Sequence, residues 1–174
     1  DTPWETLIDR LSQDASPSVR RACVAFLPPE VPGAVRSAVA AAVNDVDVDV
    51  RREVTDRLRG WAEGGEERFA TVLLERLQED DPAVRQSVID FGLGYADGIP
   101  LLSRAQAAPE PTIALVLTQA IAKGKRFSWD ILEPLAARQS GVLDPLIMSC
   151  VPQEAPSSVD AWLLGTMLRS WDPD

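Results

Sequence analysis

Apolar residues in the first hundred positions fall in short stripes with helical spacing. Trp4, Leu7, Ile8 and Leu11 recur at i, i+3, i+4 and i+7, which places them on one face of an α-helix. Val19, Cys23, Phe26 and Leu27, at i, i+4, i+7 and i+8, likewise share one face of a second helix. Between the two stripes lie Asp14, Ser16 and Pro17, a helix stop followed by residues suited to an N-cap and a first helical turn. No alternation of period two persists, so the pattern predicts helices and no strands.

The unit repeats. Shifting the chain by 31 residues, and then by a further 34, aligns Pro17-Ser-Val19-Arg20-Arg21 with Val48-Asp-Val50-Arg51-Arg52 and with Pro82-Ala-Val84-Arg85-Gln86. The same shifts align Trp4, Val35 and Phe69 in the preceding helix, as well as Leu7, Ala38 and Val72, and Ile8, Val39 and Leu73. A lone helix pair cannot bury its apolar face, so neighbouring pairs must stack. After about residue 98 the columns blur. Pro109-Glu-Pro111-Thr-Ile113 serves as a fourth turn, with Ile113, Leu117 and Ile121 in the columns of Val19, Cys23 and Leu27. Residues 127–138 read as a further first helix, 142–151 as its partner, and Ser157 to Ser170 as a closing helix capped by Ser158. The expectation is an all-α solenoid of stacked antiparallel helix pairs, about five pairs plus a closing helix, in one domain over residues 1–174. Repeats are clear over 1–97 and degenerate over 98–174. Linkers are expected at Glu63-Gly-Gly65, Lys123-Gly-Lys125 and Pro152 to Pro156.

The recurring acid, then Pro-x-Val-Arg, then apolar helix resembles the HEAT repeat, well over about residues 1–95 and loosely beyond. In that family the turn acid and the helix arginine commonly form a ladder between stacked repeats. The resemblance implies that role for Asp14 with Arg20, Asp45 with Arg51 and Glu79 with Arg85, each pair six positions apart. Ala114 stands where the fourth arginine would be.

Composition narrows the function more than the fold. Net charge is −10 with no histidine, and only two of the 17 basic residues are lysine. Residues 1–97 carry 11 basic and 19 acidic residues, a balance of −8, and residues 98–174 carry 6 and 8, a balance of −2. An acidic chain is repelled by a phosphate backbone unless its cations gather on one face. Without histidine, Ser-His-Asp and Cys-His nucleophile systems and ordinary zinc sites are not assembled. No Gly-rich loop followed by Lys-Ser/Thr occurs, and Gly92-Leu-Gly94 falls at the end of a helix. Cys23 and Cys150 lie far apart in apolar contexts and read as buried free thiols. No run approaches the ~18–20 apolar residues that span a bilayer. No secretory signal opens the chain, and a cytoplasmic location is expected. Asp1 in place of Met is what a processed chain or a piece of a longer protein shows.

Asp45, Asp47, Asp49 and Asp56 match positions 1, 3, 5 and 12 of a calcium loop, but Val50 stands where the sharp turn needs glycine. The repeat columns place Val50 and Arg51 inside a helix, so these acids read as turn residues. Glu66-Glu67 and Glu79-Asp80-Asp81 read the same way, solvated beside helix N-termini. Tryptophans Trp4, Trp61, Trp129 and Trp162 are expected in the core, and Trp171 is expected to cap the last repeat or mark where a longer chain was cut.

In a solenoid the second helices line one surface, so equivalent positions form stripes. Arg21, Arg52 and Gln86, continuing to Leu115, make one stripe, while Ala25, Asp56, Asp90 and Gln119 make its neighbour. The resulting groove is mixed, with Arg beside acid, whereas a nucleic-acid groove is more uniformly basic. The reading is a non-enzymatic module with no cofactor or metal, gripping a protein partner through Arg21, Arg52, Asp56, Gln86, Asp90, Leu115 and Gln119. One alternative is an acidic inhibitor or immunity protein that neutralises a basic toxin or nuclease. Another is a helical-repeat DNA-repair glycosylase or a pigment-lyase-like enzyme. By resemblance such glycosylases use a basic cleft with aromatic and acidic residues at its centre, and no Trp falls in the stripes.

Overall fold

The computed structural model describes residues 2–152 and 157–170; Trp171 and residues 153–156 of the expected linker lie outside them. Among the described residues every regular element is helical. Three pairs come first: α1 (Pro3–Gln13) with α2 (Pro17–Ala25), α3 (Gly33–Ala41) with α4 (Val48–Glu63), and α5 (Glu67–Leu74) with α6 (Pro82–Gly94). Two pairs follow, α7 (Ile99–Ala105) with α8 (Glu110–Ala122) and α9 (Trp129–Ala136) with α10 (Leu143–Cys150), and then α11 (Ser157–Ser170). The α-solenoid class and the five-pairs-plus-one count follow the repeat as expected. The pairs divide into two compact units, Asp1–Tyr95 and Ala96–Asp174.

Local chemistry sets the helix ends. Thr2 and Glu5 form a reciprocal capping box at α1. The Asp47 carboxylate accepts from the Asp49 and Val50 N–H groups at the start of α4, and Asp81 does the same for Ala83 and Val84 at α6. Both glycine linkers are helix stops. Gly65, at φ +99°, donates to the Ala62 carbonyl while the Glu66 N–H reaches back to Trp61, and Gly124 with Lys125 makes the matching pair of bonds at the end of α8. Ser158 lies inside the first turn of α11 rather than capping it.

In the first unit α4 packs against α2, α3, α5 and α6. Val50, Val54 and Leu58 are fully buried, with Val35, Val39, Phe69 and Leu73 filling their columns in the first helices. The expected apolar face of α2 needs correction. Its buried residues are Arg20, Val24 and, just past the helix, Leu27, whereas Val19 is exposed, Phe26 is 86% exposed and Cys23 is half-buried. The reason is position: α4 has a second helix on each flank, while α2 meets α4 on one flank only among the described residues. Periodicity cannot tell those two settings apart.

In the second unit α8 and α10 pack together, with α7 against α8 and α9 and with α9 against α10. Ile113, Leu117, Leu132, Leu143 and Ile147 are fully buried. The ends of α7 and α9 are tied by polar groups: Arg138 donates to the carbonyls of Gln106 (2.6 Å) and Ala108 (3.1 Å), and Gln106 donates to Ile131. Trp129 and Trp162 pack ring against ring at 5.3 Å. Burial pushes the free Cys150 thiol up to about 11. No described helix is long and apolar enough to cross a membrane.

The ladder between repeats forms, with a different wiring from the six-apart pairs. Arg20 meets the Asp45 carboxylate of the next repeat with two parallel bonds of 2.7 Å, and its third nitrogen donates to the backbone carbonyl of Asp14, not to the Asp14 carboxylate. Arg51 repeats this with Glu79 (3.1 Å) and the Asp45 carbonyl (2.9 Å), and Arg85 donates to the Glu79 carbonyl at 2.6 Å. Arg20 and Arg51 thus hold their own turns through main chain and the following turn through a carboxylate, and Arg85 holds its own turn. Asp14 and Asp45 also brace their own turns, accepting the N–H groups of Ser16 and Asp47. Asp14 pairs with Arg10. Glu79, 6% exposed, receives Arg76 as well as Arg51, and Arg76 also donates to Asn44.

Removing one arginine leaves a buried carboxylate short of donors. Arg51→Met is expected to lower the urea unfolding free energy by about 2–3 kcal/mol. A double-mutant cycle with Glu79→Gln should show coupling, the pair of changes costing less than the sum of the two. Additive losses would mean that the rung carries no interaction of its own.

Candidate partner-binding surface

The second helices of the first unit present α4 between α2 and α6. On α4, helical spacing brings Glu53, Asp56, Arg57, Gly60 and Trp61 to one flank. With Pro29 they line an open cleft of about 470 Å³. On the other side of Asp56 lies a smaller cleft of about 140 Å³, lined by Arg52, Thr55, Asp56, Ala83, Val84 and Ser87. Asp56 belongs to both.

The residues expected on this surface fare differently. Arg21 is exposed and pairs loosely with Glu53 at 3.5 Å. Arg52 is committed to the fold: it grips the α6 cap residue Asp81 with bonds of 2.7 and 3.2 Å and also reaches Asp49. Gln86 and Asp90 are half-buried and bonded to each other at 3.1 Å. Leu115 and Gln119 are half-buried on α8 in the second unit. Asp56 is exposed and has no ion pair among the described residues, whereas the other acids of α4, Asp49, Glu53 and Glu63, pair with Arg52, Arg21 and Arg59.

Stripe reasoning missed Pro29, Arg57, Gly60 and Trp61. Arg57 donates to the carbonyls of Leu27 (2.7 Å) and Val24 (3.3 Å), so it ties the end of α2 to α4. Trp61, placed in the core as expected, is 8% exposed yet also walls the cleft, and the Arg36 guanidinium stands 5.5 Å from its ring centre. The available signal was Gly60, a glycine in the interior of a long helix, one turn after Asp56.

A further cleft of about 230 Å³ lies on the first-helix side, lined in part by Asn44 and Asp45, and both polar groups already serve Arg76 and Arg20. The calcium-loop spacing is taken up by helix from Val48 onward, with Asp45 on Arg20 and Asp47 capping α4.

The electrostatics separate Asp56 from the other acids. The Arg20 guanidinium holds Asp45 below the usual carboxylate range, against the opposing effect of its burial. Arg52, helped by the Val84 N–H, does so for Asp81. Desolvation is the largest influence on Glu79 and pushes it up, but Arg76 and Arg51 together outweigh it. Asp56 goes the other way, raised by desolvation and then by the charge of Glu53. The depressed acids contribute stability that is present at neutral pH and lost as pH falls through roughly 4 and below. Asp56 has the opposite sign, its contribution present in acid and lost as pH rises through its raised value. Carboxyl NMR titration should therefore place Asp56 above Asp45 and Asp81. Asp56→Asn should not lower the melting temperature at pH 7, whereas Asp45→Asn should; the reverse order would contradict these environments.

The HEAT repeats family matches residues 4–90, half of the chain and nearly all of the first unit. No curated protein and no solved structure matches the chain. The repeat columns, the helix pairs and the inter-repeat arginine rungs agree with that match. The chain belongs to the HEAT-repeat family.

Proposed function

We propose that the protein is a non-enzymatic interaction module that binds a protein partner along the second-helix surface of its first unit. The observation that carries this reading is Asp56, a carboxylate in no ion pair among the described residues, between two clefts on the exposed side of the helix that packs against α2, α3, α5 and α6. Membership of a repeat family supports a binding role, because stacked repeats offer extended surfaces that recognise partners without a catalytic centre. Arg21 and Asp56 are the contact residues expected to matter most, with Gln86 and Asp90 beside them. Arg52 supports the surface by fixing α6 against α4 rather than by meeting the partner. Opposite charges at such a surface set orientation and encounter rate. An inhibitor of a basic protein falls within this class, and the unpaired acid favours a partner that presents cations.

Site-specific photocrosslinking in the native host tests the placement. A crosslinker at Arg21 or Asp56 should yield one discrete adduct, and one at Asp9 or Arg68, exposed positions on first helices, should not. Adducts confined to the first-helix positions would overturn the proposal.

A further inference from the structure

The larger cleft of α4 combines features that the fold does not ask for. Gly60 stands inside a 16-residue helix, yet a Cβ built there meets nothing within 4 Å. Neither packing nor a left-handed backbone requires glycine at this position, and glycine costs a helix roughly 1 kcal/mol relative to alanine. What its missing side chain does is keep the cleft open. Pro29 and Trp61 make an apolar wall, while Glu53 and Asp56 stand on the same lining. Of these carboxylates Glu53 pairs with Arg21 at 3.5 Å, and Asp56 forms no ion pair among the described residues, although the charge of Arg59 acts on it. Arg57, the positive charge on the lining, is turned to the carbonyls of Val24 and Leu27. The adjoining small cleft adds an independent sign of unfinished business. Its lining includes Thr55, 1% exposed, and Ser87, and neither buried hydroxyl has a hydrogen-bond partner among the described residues.

We infer that this cleft receives an arginine side chain from a basic segment of the partner, its aliphatic stem along Pro29 and Trp61 and its guanidinium on Asp56 and Glu53. The inference rests on the module reading above and names the chemistry of its partner. Arginine fits because its planar fork meets a free carboxylate with two parallel bonds, while its stem covers apolar surface. The cleft volume exceeds one side chain, which leaves room for the flanking backbone of an extended segment.

The test uses the full chain labelled with ¹⁵N and two probes, N-acetyl-arginine methylamide and its citrulline counterpart, which keeps the shape and loses the charge. The arginine probe should shift the amides of residues 53–61, and the citrulline probe should bind roughly fivefold more weakly or not measurably. Asp56→Asn should weaken the arginine probe by a similar factor. Gly60→Leu should abolish its binding by filling the cleft while melting at or above the parent temperature, because leucine is the better helix former. Equal binding of the two probes, shifts confined to other helices, or full binding by Gly60→Leu would each overturn the cleft. Crosslinking of a partner at Arg21 in a chain whose cleft ignores arginine would sink this inference alone. Arginine binding in a chain that gives adducts only at the first-helix positions would instead sink the module reading.

Discussion

Arg20 reaches in two directions from the first turn of α2: one nitrogen to the carbonyl of its own turn and two to a carboxylate in the next. Arg51 makes the same reach one repeat further on. Apolar columns alone would let neighbouring helix pairs slide or tilt, since burial is not directional. A forked guanidinium shared between two turns tolerates little of either movement. Taking these charges out of water is costly, and the arrangement stands because nearly every donor and acceptor in it is satisfied. Where one arginine does not suffice, a second is supplied, as Arg76 is for Glu79. The rung therefore sets the spacing of the turns, and the turns set where each second helix begins.

Everything on the candidate surface follows from that spacing. With α2 and α6 fixed on either flank, α4 buries Val50, Val54 and Leu58 completely and turns Glu53, Asp56 and Gly60 outward. Arg52 and Arg57 add a second set of ties, one to the cap of α6 and one to the end of α2, so the cations nearest the clefts are held in the scaffold. The result is a surface on which Arg52 and Arg57 are held in the scaffold, Arg21 stays exposed, and Asp56 is the acid of α4 in no ion pair among the described residues. An acidic balance spread over the first repeats thus becomes a local preference at one position.

Much of the fold is legible in the residues because the repeat states it three times. The Pro-x-Val-Arg columns place the second helices, and Gly65 and Gly124 mark stops that only a positive φ allows. Other features depend on what lies beside a helix, which no periodicity records. Val19 and Val50 share a column, yet one is exposed and the other buried, because among the described residues α2 meets one second helix where α4 meets two. Acid and arginine stand six apart within each turn, but spacing along the chain does not record that Arg20 reaches forward to Asp45 and Arg51 to Glu79 in the following turn. Arg52 looked available by its place in a stripe and is held by Asp81, twenty-nine residues on. Trp61 lies in the core, as its place on an apolar helix face implies, and still walls a cleft. Gly60 was the clue in plain view: a helix interior that gives up stability for space.

The central claim is that the arginine rungs make α4 the most firmly held element of the first unit and so a fixed platform for its surface. Native-state hydrogen exchange measures that directly. The amides of Val50, Val54 and Leu58 should exchange only through global unfolding of the unit, more slowly than those of α1 and α2, and Arg20→Met or Arg51→Met should open them to faster, local exchange. Exchange from α4 as fast as from α1 in the unaltered chain, or unchanged in both variants, would contradict the account.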